Sequence, residues 1–249
     1  YLVGRQTVDD RALAEFLADH NVSHWTTDTT VAGEKLIEVA GRLCYLSFAR
    51  PRPGGNASYI GHILEVGHGS VLEHSVYNLI ISGVSRSFTH ELVRHRAGFG
   101  FSQLSQRFVD ESSCRFVEPD VIADDPELHA LWLDAVRTSQ RAYRALADGL
   151  TAKFADLDDR TLRRKKAREA ARSVLPNATE TEIFVTANGR ALRHFIEMRA
   201  DPAADAEIRK VAVAVLRLLQ AESPNLFGDY TITDLPAGGQ SASTPHRKV

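Results

Sequence analysis

The feature that most constrains this chain is the stretch Arg94–Arg107. It runs Arg94-His95-Arg96, then Ala97-Gly98-Phe99-Gly100-Phe101, then Ser102-Gln103-Leu104-Ser105-Gln106-Arg107. Ser85 is placed to cap a helix over 86–96, with Phe88, Leu92 and Val93 as its apolar side. Successive residues of a helix point about 100° apart, so Arg94, His95 and Arg96 fan out and do not grip one small group. They suit a large polyanion or a junction between subunits. Gly98 and Gly100 allow the backbone to approach a phosphate or a flat ring. Arginine forks and backbone amides are the usual grips for phosphate. Cations at a helix C-terminus also suit the macrodipole without any ligand, and local pattern does not separate the two readings.

Around this stretch the periodicity predicts a mixed α+β fold, with helices around a small antiparallel sheet. Helical patterns cover 8–20 (Leu13, Phe16, Leu17), 32–49, 57–66, 126–156, 160–172, 190–200 and 203–222. Strand patterns cover 75–83 and 181–187, the second with Ile183 and Val185 on one face. Pro51-Arg52-Pro53-Gly54-Gly55-Asn56 is the clearest breaker, and His68 and Ser70 fall in a short turn after Gly67. No repeat or linker divides the chain, so residues 1–236 read as a single domain. Residues 237–249, rich in Gly, Ser, Pro and Lys, read as a disordered tail.

Several groups invite chemistry. Arg190 and His194 are four apart and share a helix face; Arg199 lies five further on, about 140° round, and faces elsewhere. One helix can therefore serve two ligands, or simply be a solvated basic helix. The run Arg160–Arg172 is strongly basic, but Leu162, Ala167 and Ala171 give it a face to pack. His68, Glu73 and His74 match no metal-binding spacing, and no metal site is expected. The two cysteines lack any activating pattern, and Cys44, in Leu43-Cys44-Tyr45-Leu46, looks like a small core residue. No Walker or dinucleotide-binding glycine pattern opens a βαβ unit. A net charge of −2 gives no whole-protein field toward nucleic acid or membrane, and the longest apolar run near the C-terminus is too short to span a bilayer. The paucity of cysteine points to a reducing compartment, with a cytoplasmic location expected.

Arg94-His95-Arg96 followed by Ser102-Gln103-Leu104-Ser105-Gln106-Arg107 resembles the signature of the flavin-dependent thymidylate synthases. The usual spacing is Arg-His-Arg, seven residues, Ser; here eight, Ala97 to Leu104, precede Ser105. The resemblance extends roughly from Trp25 to Phe227. It takes in Gly67-His68-Gly69-Ser70-Val71-Leu72-Glu73-His74, Ala171-Arg172-Ser173-Val174-Leu175-Pro176, Asn188-Gly189-Arg190, His194 and Met198-Arg199-Ala200.

This likeness implies C5 methylation of dUMP to dTMP with FAD, NADPH and 5,10-methylenetetrahydrofolate, in a homotetramer whose active sites lie between subunits. It implies flavin contacts from Ser70, Arg94, His95, Arg96, Gln103, Asn188, Arg190 and His194. It implies nucleotide contacts from Glu91, Arg94, Gln103, Leu104, Ser105, Gln106, Arg107, Arg172 and Arg199. Arg199, Ser105 and His68 would be catalytic, with Arg199 stabilising charge on the uracil ring in place of thiolate attack. The longer loop leaves UMP as an alternative acceptor. A nucleic-acid-binding module using Arg94–Arg107 and Arg160–Arg172 is the reading from a different class. Visible absorbance separates it from a flavoprotein.

Overall fold

A computed structural model describes residues 1–50 and 53–249; Pro51 and Arg52 of the predicted breaker lie outside the described residues. The chain runs β1 (Leu2–Arg5), α1 (Asp10–Asp19), α2 (Ala32–Cys44), α3 (Gly55–Glu65), a 3₁₀ turn (Gly69–His74), β2 (Val76–Ser85), α4 (Arg86–Leu92) and β3 (Phe99–Gln103). It continues through α5 (Asp120–Ala123), α6 (Pro126–Lys153), α7 (Arg160–Ala171), a 3₁₀ turn (Arg172–Val174), β4 (Glu180–Asn188), α8 (Gly189–Arg199), α9 (Ala206–Glu222), α10 (Pro224–Phe227), β5 (Thr231–Asp234) and β6 (Gln240–Ser243). The fold is α+β, with a four-stranded sheet in the order β1-β2-β4-β3 and a separate β5-β6 hairpin.

Two compact units emerge. The first comprises Tyr1–Ile80, Arg94–Phe101 and Val185–Val249; the second comprises Ile81–Val93 and Ser102–Phe184. In the first, Leu192, Phe195 and Ile196 of α8 are buried, as are Ile208, Leu216 and Leu219 of α9, Ile37 of α2 and Leu72. Each such side chain contributes on the order of 1.5–3 kcal/mol relative to exposure. A satellite cluster joins Leu17, Trp25 and Phe48. In the second unit α6 and α7 pack together, and Phe88, Leu92, Tyr143, Ala167, Ala171 and Ile183 are buried.

Short polar side chains start the helices that matter most. Ser85 accepts the Phe88 N–H at 3.0 Å and opens α4, and Asn188 Oδ1 accepts the Ala191 N–H at 2.8 Å and opens α8. Such caps are typically worth about 1 kcal/mol. On the core side of α8, Arg193 is only 2% exposed and its guanidinium forks onto Asp229, with both N···O distances 2.7 Å. It also donates to the Leu226 carbonyl at 2.6 Å, and Tyr230 Oη donates back to the Arg193 carbonyl at 2.9 Å.

Three expectations need correction. The helix after Ser85 ends at Leu92, so Arg94, His95 and Arg96 lie in the turn beyond it. The chain must leave the helix there to enter β3 at Phe99. The tail from 237 is not disordered: Gly238 and Gly239, at φ +88° and +77°, turn the chain so that Gln240–Ser243 pairs antiparallel with Thr231–Asp234. The Ala242 N–H then donates to the Ala200 carbonyl at 2.9 Å. Cys44 is exposed, because α2 stops there and its buried face is Gly33, Ile37 and Gly41 with Glu34, Glu38 and Arg42.

Candidate active site

In the first unit the site is built on α8 and the Arg94–Gly98 turn. Gly98, at φ +73°, lets its carbonyl accept the Asn188 N–H at 3.1 Å. A Cβ at Gly98 would fall 2.6 Å from Asn188 Nδ2 and 2.8 Å from Ala191 Cβ, so the turn and the start of α8 are in direct contact. Asn188 spends its carbonyl oxygen on the cap, which leaves its amide NH₂ beside the turn. A cavity of about 460 Å³ follows, lined by Glu73, Ala97, Gly98, Asn188, Arg190, Ala191, His194, Lys248 and Val249. Arg190 Nη1 meets Glu73 Oε1 at 2.7 Å with both side chains nearly half exposed. His68 and Ser70 are exposed near the 3₁₀ turn, and Tyr45 stacks on His68 with ring centroids 6.4 Å apart.

A second cavity of about 350 Å³ is lined by Arg94, His95, Arg96, Ala97, Phe99, His194, Met198 and Arg199. Helix α8 thus offers Arg190 to one cavity, Arg199 to the other and His194 to both. Arg199 Nε donates to His95 Nε2 at 3.0 Å, so His95 is the neutral tautomer with its proton on Nδ1. Burial, then the charges of Arg199, His194 and Arg94, depress the His95 pKa to about 4. Phe195 holds the ring from the side, edge-on at 5.3 Å.

In the second unit Gln103 Nε2 donates to Thr89 Oγ1 at 3.0 Å, and the Leu104 N–H donates to the Glu182 carbonyl at 3.0 Å. Arg86 Nη2 donates to the Leu104 carbonyl at 2.8 Å. Ser105 starts a tight turn, its carbonyl accepting the Val109 N–H at 2.9 Å, and Gln106 is buried within it. Arg107 pairs with Glu169 at 2.8 Å through Nη2. Arg86 Nε, Gln106 Nε2 and Arg107 Nε are buried without a hydrogen-bond partner. Burial lowers the Arg86 pKa, with Glu111 opposing the shift and the nearby Arg172 charge adding to it. Burial raises the Glu111 carboxyl, against the pull of Arg86.

Comparison with known proteins supplies the decisive observation. Residues 27–225 match the family model described as thymidylate synthase complementing protein. Proteins described as flavin-dependent thymidylate synthase, from Mycobacterium marinum and Mycolicibacterium gilvum, are 51% and 52% identical over 236 residues, covering 94% of this chain and 93% of each relative. One from Mycobacterium tuberculosis is 50% identical with the same coverage. The chain belongs to the flavin-dependent thymidylate synthase family.

Within that family assignment the carried-over positions fall into two groups. Ser70, His68, Arg94, His95, Arg96, Asn188, Arg190, His194 and Arg199 lie in the first unit; Glu91, Gln103, Leu104, Ser105, Gln106, Arg107 and Arg172 lie in the second. The first cavity suits an anionic, flat cofactor. Arg190, Lys248 and the Asn188 amide are donors on its wall. Arg86 escaped the sequence analysis because it was absorbed as the first residue of a capped helix. Its position directly after Ser85, in a helix that leads to Arg94, was the available signal. Lys248 escaped because the tail was read as disordered.

The basic helix α7 spends three of its cations on contacts within the unit. Arg168 reaches the Phe108 carbonyl and Asp110, Arg163 reaches the Leu157 carbonyl, and Lys165 lies 5.1 Å from the centre of the Phe108 ring. Burial raises the Cys114 thiol pKa, the opposite of what a nucleophilic thiolate needs. Among the described residues, no helix is long and apolar enough to cross a membrane, and no cluster of His, Cys, Asp and Glu could hold a metal ion.

Proposed function

We propose that this enzyme methylates C5 of dUMP to give dTMP, with FAD as cofactor, 5,10-methylenetetrahydrofolate as carbon donor and NADPH as reductant, in a homotetramer with shared active sites. The observation that carries this reading is the Arg199–His95 hydrogen bond, set in a chain of this family. A neutral His95 accepts from Arg199 and fixes its guanidinium on the wall of the second cavity. Bound flavin supplies the two-electron redox chemistry. The protein's share is binding, orientation and polarisation.

Ser70, Arg94, Arg96, Asn188, Arg190 and His194 would hold the cofactor, with Gln103 touching both ligands. Arg86, Arg107 and Arg172 would take the nucleotide phosphate, since the partnerless N–H groups of Arg86 and Arg107 need an acceptor. Glu91, Leu104, Ser105 and Gln106 would frame base and sugar. Arg199 would donate to the N3–C4 edge of uracil, so that the electron-rich form of the ring attacks the one-carbon unit without a thiolate. His68 and Ser105 would complete the reacting centre.

The description of the relatives as thymidylate synthases supports dUMP over UMP as the acceptor. Visible absorbance of the purified protein and methylation assays with dUMP and UMP at matched concentrations test the proposal. A flavin spectrum and turnover of dUMP are expected. A colourless protein that binds no FAD would overturn it, and comparable kcat/KM for UMP would move the assignment to modified-nucleoside synthesis.

A further inference from the structure

Residues 244–249 are tied along α8 by an unusual set of contacts. Thr244 Oγ1 bonds Asp229, the carboxylate that Arg193 of α8 also grips. The His246 carbonyl accepts from Arg193 at 3.4 Å. One helical turn later, Glu197 clamps the segment again: Arg247 Nε donates to Oε1 at 3.2 Å and the Lys248 N–H donates to Oε2 at 2.9 Å. Lys248 sits at φ +60°, a region a lysine occupies only when its surroundings hold it there.

The effect of that turn is local and definite. Lys248 lines the 460 Å³ cavity with Asn188, Arg190 and His194. Val249 is buried at 8% exposure, and its backbone carbon would lie 2.5 Å from a Cβ placed on Gly69. Glu73 already partners Arg190. Among the described residues no ion pair engages the Lys248 ammonium, which adds a positive charge to a wall that also carries Arg190 and Glu73.

We propose that residues 244–249 form a strap that completes the flavin site, and that Lys248 binds the pyrophosphate of the dinucleotide. This rests on the flavin reading above. A strap that merely plugged the cavity would oppose binding, whereas a strap that supplies a cation promotes it.

The test is a titration of the full chain, stripped of flavin, with FAD and separately with riboflavin, which has no phosphate. Lys248→Ala should weaken FAD binding about tenfold, as loss of one charge-assisted hydrogen bond does. It should flatten the salt dependence of FAD binding and leave riboflavin affinity unchanged, and Lys248→Arg should restore most of the FAD affinity. Glu197→Ala, which frees the strap, should weaken FAD in the same direction while thermal unfolding confirms a folded protein. Unchanged or tighter FAD binding by Lys248→Ala overturns the proposal, as does an equal loss of riboflavin. If the wild-type chain binds no FAD, the flavin reading itself falls; if it binds FAD and Lys248→Ala matches it, only the strap falls.

Discussion

The two groups of site residues meet water in opposite ways. Two of the first unit's site cations are open and matched: Arg190 is 44% exposed and pairs with Glu73, and Arg199 donates to His95. In the second unit the polar groups are sunk and short of partners, with Gln106 at 7% and Glu111 at 4% exposure and the Nε atoms of Arg86 and Arg107 unmatched. An unmatched buried polar group costs about 1–3 kcal/mol. Several within one short segment make a template that a polar ligand relieves. Under the proposed function the contrast becomes a division of labour: open charges would attract and exchange a large anionic cofactor, while a buried, incomplete hydrogen-bond set would select a nucleotide by fit.

The largest expected effect tests whether the halves are separable. Arg199→Ala should lower methyl transfer on the order of 10²–10³-fold, the usual cost of losing one charge-stabilising donor. Flavin should stay bound, because Arg190 and Asn188 lie on the other cavity. Turnover and bound-flavin absorbance measured on the same sample decide it, and complete loss of flavin would merge the two roles.

Next in size is Arg86→Ala. Removing a half-buried cation should reduce kcat/KM for the nucleotide by about 10–100-fold and leave the FAD dissociation constant unchanged. A parallel loss of FAD affinity would contradict the division.

Two glycines sharpen the first half. Gly98→Ala forces a Cβ against Asn188 at positive φ and should cost about 1–3 kcal/mol of stability together with flavin affinity. Gly100→Ala, whose nearest new contact is Thr186 Cβ at 3.8 Å, should cost less than about 1 kcal/mol. Urea denaturation and FAD titration of both variants make the comparison.

The smallest effect is a pH dependence. His95 is held at about 4, below the ordinary value near 6.5 of an unfolded chain. Between those values the unfolded chain binds more protons, so this contribution to stability is fully present above about pH 6.5. It declines as pH falls toward 4, then levels off. His95→Gln, which retains an acceptor for Arg199, should flatten that decline in denaturation curves collected from pH 7 to 4.

The elements legible in the sequence were those whose signal is local. Ser85 and Asn188 announce helix starts because a short side chain can reach its own helix's N–H groups. The alternation around Ile183 and Val185 announces a strand with one buried face. What stayed hidden depends on distant partners. Phe99–Gln103 carries a glycine that weakens any strand signal, yet it is a strand because β4 offers it a ladder. Gln240–Ser243 is polar and short, and exists because β5 and the Ala200 carbonyl meet it. Likewise Arg94, His95 and Arg96 were recognisable as a set, but not as a turn. The pairing of His95 with Arg199 spans 104 positions, and no spacing rule reaches that far.

The fork of Arg193 onto Asp229, with Tyr230 bonded back to the same residue, fixes α8 like a keyed shaft in its hub. Those bonds oppose any roll of the helix about its own axis. Accommodation at the two cavities therefore falls to the torsions of Arg190, His194, Met198 and Arg199, tips swinging from a stationary spindle. Cofactor and substrate would thus be fitted by side-chain gearing, with the register between the two cavities preset when the chain folds.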